Sequence, residues 1–415
     1  TRRDSIIRLS RMVGYSPRRN MPATGMLKLQ SIVTSQNVSD SNGVSLRNKP
    51  IIWNDTTNPN FLEQFNLVLS QGMNANQKPG KPLRRVTIDG VVTELYELNS
   101  LQTSAVVPFS TSISGVNMDF ELVGANINTA GEMYERTPTP NTGFTLLYRN
   151  DGRGNASPNT GWFVMFKQGV LRSTDFGLSN ALPNQVINID VPSINETDVW
   201  LYQIGSDGNF SAIWEQIEET SGNNVIYNDV ALNQRKVYST VAKENDKIDL
   251  VFADGKFGDI PKGNFRLYFR TSNGLNYSIR PIDMPRVSAP FEVITKSNQQ
   301  ATLTFNLGLR NTVSNSSAAE SYVDIKTNAP QAYYTQNRMI TAEDYNIYPV
   351  ITNQDVLKAK AVNRTSSGIN RYLDIVDPTG RYSSIKLFAE DGQIYRRTSQ
   401  ESFNFSWNTD SDIIR

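Results

Sequence analysis

Val116-Asn117-Met118-Asp119-Phe120-Glu121-Leu122 alternates apolar and polar residues without a break. Successive side chains of an extended strand point to opposite faces, so the pattern predicts a strand with one buried and one wetted face. Runs at 144–148, 162–166, 186–191, 199–204 and 265–269 are apolar and of strand length. Clusters of turn-forming residues separate them: Asn150-Asp151-Gly152, Ser206-Asp207-Gly208 and Ser272-Asn273-Gly274. The chain from about 101 to 310 therefore reads as a sheet-rich domain, sandwich-like or barrel-like.

Upstream, residues 4–13 read as a helix with an apolar stripe of Ile6, Leu9, Met12 and Val13. Gly14 is placed to cap it and Pro17 blocks its continuation. Leu27, Leu29 and Val33 suggest a strand, and residues 37–49 are polar and loop-like. Asn58-Pro59 predicts a helix start with proline at the first helical position. Phe61, Leu62, Phe65, Val68 and Leu69 follow at helical spacing, with Gly72 as the stop and a loop over 74–81. Asp89-Gly90 between Val86-Thr87-Ile88 and Val91-Val92 is a hairpin signal, because both central residues tolerate positive φ.

Downstream, the character changes near 316. Residues 318–337 look helical with an interruption at Pro330. Thr341-Ala342-Glu343-Asp344 predicts a capping box, and the short helix it opens is expected to end before Pro349. Residues 356–362 and 384–388 look like strands, with turns at Asp377-Pro378-Thr379-Gly380 and Asp391-Gly392.

The fold class is thus α+β and β-rich, a sheet-rich central domain flanked by small helical or mixed segments. Four regions are expected: a helix-turn-strand unit over 1–35, a helix-plus-hairpin region over 36–115, a β-rich core over 116–315, and a helical linker opening a mixed α/β assembly domain over 316–415. The chain opens without Met or an apolar signal core and stops without an evident cap, so both ends are expected to be trimmed from a longer protein.

Composition narrows the chemistry. There is no cysteine and no histidine. That removes disulfides, thiol nucleophiles, cysteine zinc sites, the commonest general base and the Ser-His-Asp triad. The 41 basic and 40 acidic residues leave a net charge of +1, without the concentrated basic surface that nucleic acid needs. The pairs Arg2-Arg3, Arg18-Arg19, Arg84-Arg85 and Arg396-Arg397 are short and scattered, which suits solvated faces or subunit contacts better than the alternative, phosphate binding. No run is long and apolar enough for a membrane span. Asn195-Glu196-Thr197 and Asn276-Tyr277-Ser278 match a glycosylation triplet by chance in an asparagine-rich chain.

The remaining motifs are weak. Ser383-Ser384-Ile385-Lys386 has the serine-acylase spacing but lies on a strand-like segment without that family's other motifs. Gly152-Arg153-Gly154-Asn155 lacks the third glycine and following helix of a dinucleotide loop. Asn150-Asp151-Gly152 and Asp254-Gly255 carry oxygens that calcium could use, but neither continues into an EF-hand loop, and turns are the better reading. Glu215, Glu218 and Glu219 are the closest carboxylate grouping, on a segment that looks solvated. The expectation is no catalytic residue, no metal and no cofactor.

The most specified backbone is Phe252-Ala253-Asp254-Gly255-Lys256-Phe257-Gly258-Asp259-Ile260-Pro261-Lys262-Gly263, read as a strand, an elaborate turn and the next strand. Its Phe-x-Asp-Gly-x-Phe-Gly-x-x-Pro-x-Gly pattern resembles the signature of baseplate J-like proteins. Arg338-Met339-Ile340-Thr341-Ala342-Glu343-Asp344-Tyr345 is similar to that family's Arg-x-Val-Thr-x-x-Asp-Tyr segment, with Met339-Ile340 as a conservative departure. Gly14-Tyr15-Ser16-Pro17 resembles its early Gly-Tyr-x-Pro turn. Residues 163–169 and Asn195-Glu196-Thr197-Asp198-Val199-Trp200 resemble the branch of T-even-like myophages, including those of cyanobacteria. The three motifs stand in the family's order; 37–82 looks branch-specific and 366–415 matches nothing.

The resemblance implies a structural subunit of a contractile-tail baseplate wedge in the virion. It would pair with a second copy of itself, clamp other wedge proteins, contact adjacent wedges of a six-fold ring and help couple host contact to sheath contraction. From the charge balance no nucleic-acid partner is expected, and from the lack of a long apolar run no membrane span. The competing expectations are a carbohydrate-binding or carbohydrate-degrading tail protein, and the equivalent wedge component of a phage-derived contractile injection system.

Overall fold

A computed structural model describes residues 2–361 except 75, 89, 102–105, 129, 140–142, 218–219, 221–234, 274, 336–337, 353–355 and 357. The strands expected over 384–388, the turns at 377–380 and 391–392, and Ser383 to Lys386 lie outside the described residues. The contacts divide the chain into two units, 1–16 with 321–415, and 17–320. No described helix is long and apolar enough to cross a membrane.

The unit over 17–320 holds two large sheets, and the β-rich α+β class is what the structure shows. Across the larger sheet run β18 (Val287–Ile294), β19 (Gln300–Leu309), β1 (Thr24–Thr34), β10 (Gly161–Gln168), β9 (Phe144–Asn150), β4 (Val91–Leu98) and β3 (Arg84–Ile88). β2 (Ile51–Ile52) pairs with β1, while β6 (Val116–Val123) pairs with β10 and with β5 (Val106–Ile113). The second sheet has the order β11 (Val170–Leu178), β17 (Gly263–Thr271), β13 (Ile194–Ile204), β14 (Phe210–Gln216), β15 (Val237–Ala242), β16 (Ile248–Phe252), β12 (Val186–Ile189). β7 (Ala125–Ile127) and β8 (Met133–Glu135) form a small ribbon. Among the described strands, every strand pairing is antiparallel except β14 with β15.

β10 shows why the larger sheet forms. Its residues are buried along its whole length, with Trp162, Val164 and Phe166 in one apolar cluster and Phe163 and Met165 in another. A strand buried on both faces reads as a continuous apolar run. Each such side chain contributes about 1.5–3 kcal/mol on leaving water. α2 (Phe61–Gly72) adds Phe65, Val68 and Leu69 to the first cluster. The second sheet has its own cluster, where the Trp214 ring meets Phe252 and Phe265 edge-on at 5.4 and 5.6 Å.

Three expectations need correction here. β1, placed by sequence in a separate unit over 1–35, pairs along its length with β19 and β10. The region over 36–115 likewise gives β2 to β5 and α2 to the same sheet and core. Local patterning cannot report pairings between residues more than 100 positions apart. α2 also begins at Phe61 with Asn60 as its flanking residue, so Pro59 lies outside the helix; Asn60 makes no side-chain cap bond. The β3–β4 hairpin closes between Ile88 and Val91 with Gly90 at φ +77°, and Asp89 is outside the described residues.

In the other unit, α1 (Arg2–Met12) packs on α3 (Tyr322–Thr335), with Ile7 and Tyr15 against Ile325 and Ala329. Among the described side chains of α1, Ile7 and Ser10 are buried, whereas Leu9, Met12 and, just past the helix, Val13 of the expected stripe are exposed. Shifting the stripe by one residue rotates a helix by about 100°, which an 11-residue pattern with few apolar positions does not resolve. α4 (Ala342–Thr352) continues through Pro349, contrary to the expected stop, and α3 likewise contains Pro330. A proline removes one ladder bond, and these helices run on past the loss. Of the strand expected over 356–362, the described residues 356 and 358–361 are not in a strand.

Candidate functional site

The three resembling motifs are divided between the two units. Gly14 and Tyr15 end α1, and Arg338, Thr341, Asp344 and Tyr345 surround the start of α4, all in the helical unit. Pro17 is the first residue of the β unit, where the 252–263 run also lies.

The end of α1 is a Schellman motif. The N–H of Tyr15 donates to the Ser10 carbonyl at 2.9 Å and that of Gly14 to Arg11 at 3.0 Å, with Gly14 at φ +82°. The start of α4 is the expected capping box. The Asp344 N–H donates to Thr341 Oγ1 at 3.2 Å, and the Thr341 N–H donates to the Asp344 carboxylate at 2.8 Å. That carboxylate also accepts the Ile340 N–H, and the backbone donors of Thr341 and Ile340, with the Arg338 charge, hold it below the usual range. Arg338 and Tyr345 are exposed. Thr341→Ala is expected to cost about 1 kcal/mol of helix stability, read as a lower thermal midpoint of the full chain. An unchanged midpoint would contradict the cap.

The 252–263 run is not a turn between neighbouring strands. β16 and β17 are separated by β13, β14 and β15 in the sheet, so the run crosses three strands. Four inter-strand spacings are about 19 Å. The ten residues from Ala253 to Lys262 could extend to roughly 33 Å, so the path has slack that must be fixed locally. Asp254 fixes its first half. One carboxylate oxygen accepts the N–H groups of Lys256 and Phe257, both at 2.9 Å, while Gly255 sits at φ +90°. Those two donors, Phe257 first, hold the Asp254 carboxyl below its ordinary range.

Arg235, just before β15, fixes the second half. Its guanidinium donates to the Lys256 carbonyl at 2.9 Å, the Gly255 carbonyl at 3.3 Å and the Asp259 carboxylate at 3.2 Å. The Asp259 N–H returns a bond to the Arg235 carbonyl at 2.7 Å. Phe252 is fully buried in the second sheet's core, and Phe257 packs with Val237 and Ala253. Pro261 is buried, and Gly263 opens β17 at φ +107°. Gly258 is glycine for another reason: its φ is not positive, but a Cβ there would lie 2.7 Å from Val237 Cγ2 and 3.0 Å from the Arg235 carbonyl oxygen. The run thus presses flat onto the start of β15, with Asp254 accepting the run's own backbone N–H groups and Asp259 the Arg235 guanidinium.

Asp151 is likewise used internally. Its carboxylate accepts the Ser157 and Thr160 hydroxyls at 2.5 and 2.7 Å and the Arg153 N–H at 3.0 Å. These bonds, Ser157 first, lower its pKa to about 2. A depressed carboxyl gives stability above its unfolded value, and that stability is lost as pH falls through the folded one. Asp151 should therefore stay ionised below about pH 4, where free aspartate protonates, and titrate near 2. Carboxyl-carbon NMR of the loop reads this; titration near 4 would remove the role. Residues 152–155 form turns with no helix after them. Glu215 is exposed, and Glu218 and Glu219 lie outside the described residues.

Sequence reading missed the largest polar construction. Arg270 of β17 is fully buried and donates through Nε to Glu121 of β6 at 2.8 Å. Its two terminal nitrogens grip both oxygens of Glu135 of β8 at 2.7 Å each. Asp198 of β13, also fully buried, accepts Lys167 of β10 and Asn195, the latter at 2.9 Å. Arg270 lies 3.5 Å from Asp198 and over the Trp200 ring. Five charged side chains from five strands thus tie the two large sheets and the ribbon together. Burial would lower the Arg270 pKa, but Glu135 and Asp198 more than reverse it. Burial would raise Asp198, but Lys167 and Arg270 outweigh it and lower it. For Glu121 burial wins and its pKa is raised, despite Arg270 and the Leu171 N–H. Two cations thus face three carboxylates.

Lys167 and Asp198 fall within the two segments that resemble the T-even-like branch, and Asn195, buried in this network, is no sugar acceptor. No curated protein matches the chain. Residues 25–312 match a family described as a domain of unknown function, DUF8360. That span runs from the start of β1 to just past β19, covers both large sheets and the charge network, and makes up well over half of the 415 residues; the chain belongs to this family.

Proposed function

We propose that this protein is a structural, non-enzymatic subunit of a contractile phage tail baseplate wedge, which binds copies of itself and other wedge proteins. The observation that carries this reading is the ordered set of motifs at 14–17, 252–263 and 338–345. The geometry is compatible with a load-transmitting part. The 252–263 run is a braced crossover whose acids are spent on backbone donors and Arg235. The sequence offers no histidine or cysteine for acid–base or nucleophilic chemistry. Exposed apolar side chains such as Leu9, Met12, Tyr334 and Ile340 in the helical unit are of the kind that anchor protein interfaces.

Labelling intact tails with an antibody to the full chain, imaged by electron microscopy, tests the proposal. Label on the baseplate is expected. Label confined to another part of the particle, or specific polysaccharide binding or cleavage by the purified chain without baseplate label, would overturn it in favour of a carbohydrate-directed role.

A further inference from the structure

One cleft in the β unit holds two cations and no paired anion. It has a volume of about 340 Å³ and is lined by Lys28, Trp53, Asn54, Asn155 and Arg310 among others. Lys28 projects from β1, where only 5 % of the residue remains exposed. Its ammonium donates to the Ser157 carbonyl at 2.7 Å. Gly161 makes room for it: a Cβ there would lie 3.0 Å from Lys28 Cε and 3.2 Å from the Trp53 ring. Arg310, just past β19, is exposed and has no hydrogen bond or ion pair among the described residues. Neither does Lys28 have an ion pair there. The acid whose charge acts on it is Asp151, whose oxygens already accept Ser157, Thr160 and Arg153.

A buried ammonium with one neutral acceptor and a second cation beside it is an unfavourable arrangement in the empty protein. Burial first, then Arg310, lower the Lys28 pKa to about 8. An anion entering the cleft would supply the missing charge and accept from both groups.

We propose that this cleft binds an oxyanion, a phosphate or carboxylate group seated between the Lys28 ammonium and the Arg310 guanidinium. The volume exceeds that of the group alone, so the natural ligand is a small molecule whose body lies along Trp53 and the amides of Asn54 and Asn155. This site is independent of the baseplate reading.

Thermal unfolding of the full chain in sodium phosphate, sodium acetate and sodium chloride at equal ionic strength tests it. A saturable rise in melting temperature with phosphate, acetate or both, beyond chloride, is expected. Phosphate alone assigns a phosphate-bearing ligand, acetate alone a carboxylate. Arg310→Gln should fold normally and weaken binding about tenfold, the size of losing one charge-assisted hydrogen bond. Lys28→Met should abolish the anion response without lowering the midpoint measured in chloride, because it removes an unpaired buried charge. Identical midpoints in all three salts, or wild-type anion binding by Arg310→Gln, would overturn the site.

Discussion

Arg270→Met will destabilise the folded protein by about 3–5 kcal/mol, the cost of removing one partner from a buried ion cluster. Methionine fills much of the same space, so little of the loss comes from a cavity. The loss comes from leaving Glu121, Glu135 and Asp198 buried with Lys167 as their remaining cation. Arg270→Lys should fall between, since an ammonium cannot grip both Glu135 oxygens while reaching Glu121. The deficit should shrink on acidification. Burial already raises the Glu121 pKa against the pull of Arg270, so losing Arg270 raises it further, and a raised pKa gives stability below the unfolded value that is lost as pH rises. Urea unfolding at neutral pH and at about pH 5 measures both effects. A variant within about 1 kcal/mol of wild type at neutral pH would show the network to be dispensable.

Gly258→Val should be nearly as damaging, by about 1–3 kcal/mol or more. A glycine needed for a left-handed backbone could be replaced by asparagine, but Gly258 does not have a positive φ. The structure ties it instead to the approach of Val237, Ala253 and the Arg235 carbonyl. Any side chain there must lift the run from β15 and break the Arg235 brackets. Asn should therefore fail as alanine does, whereas Val237→Ala should partly rescue Gly258→Ala by opening the nearest contact. Thermal midpoints of the single and double variants give the coupling. An Asn variant as stable as wild type would show that the approach of Val237 and the Arg235 carbonyl does not demand glycine.

Much of the strand set was legible because period-two alternation is local. The capping box at Thr341 and the Gly14 stop were legible because caps are written within a few residues. Ser321 and Asp324 repeat the same box at the start of α3, a signal that was present and overlooked. The charge network was hidden by the rule that found its strand. Alternation on β6 assigns Glu121 to solvent, but that face is covered and Glu121 is 3 % exposed. Lys167, Asp198 and Arg270 are each ordinary in sequence, and only the fold brings them within hydrogen-bond reach. Arg235 was missed for the same reason: it lies seventeen positions before Phe252 and acts across the sheet, not along the chain.

The pairing of β1 with β19 sets the timing of folding. β10 can cover one edge of β1 as soon as residue 168 exists, but the other edge waits for residues 300–309. During synthesis, an open row of backbone donors beside Leu27, Leu29 and Ile32 must persist until nearly all of the unit has emerged. A nascent chain truncated before β19 is thus a sticky-edged intermediate, and such chains can pair β1 with the wrong copy before the right strand arrives.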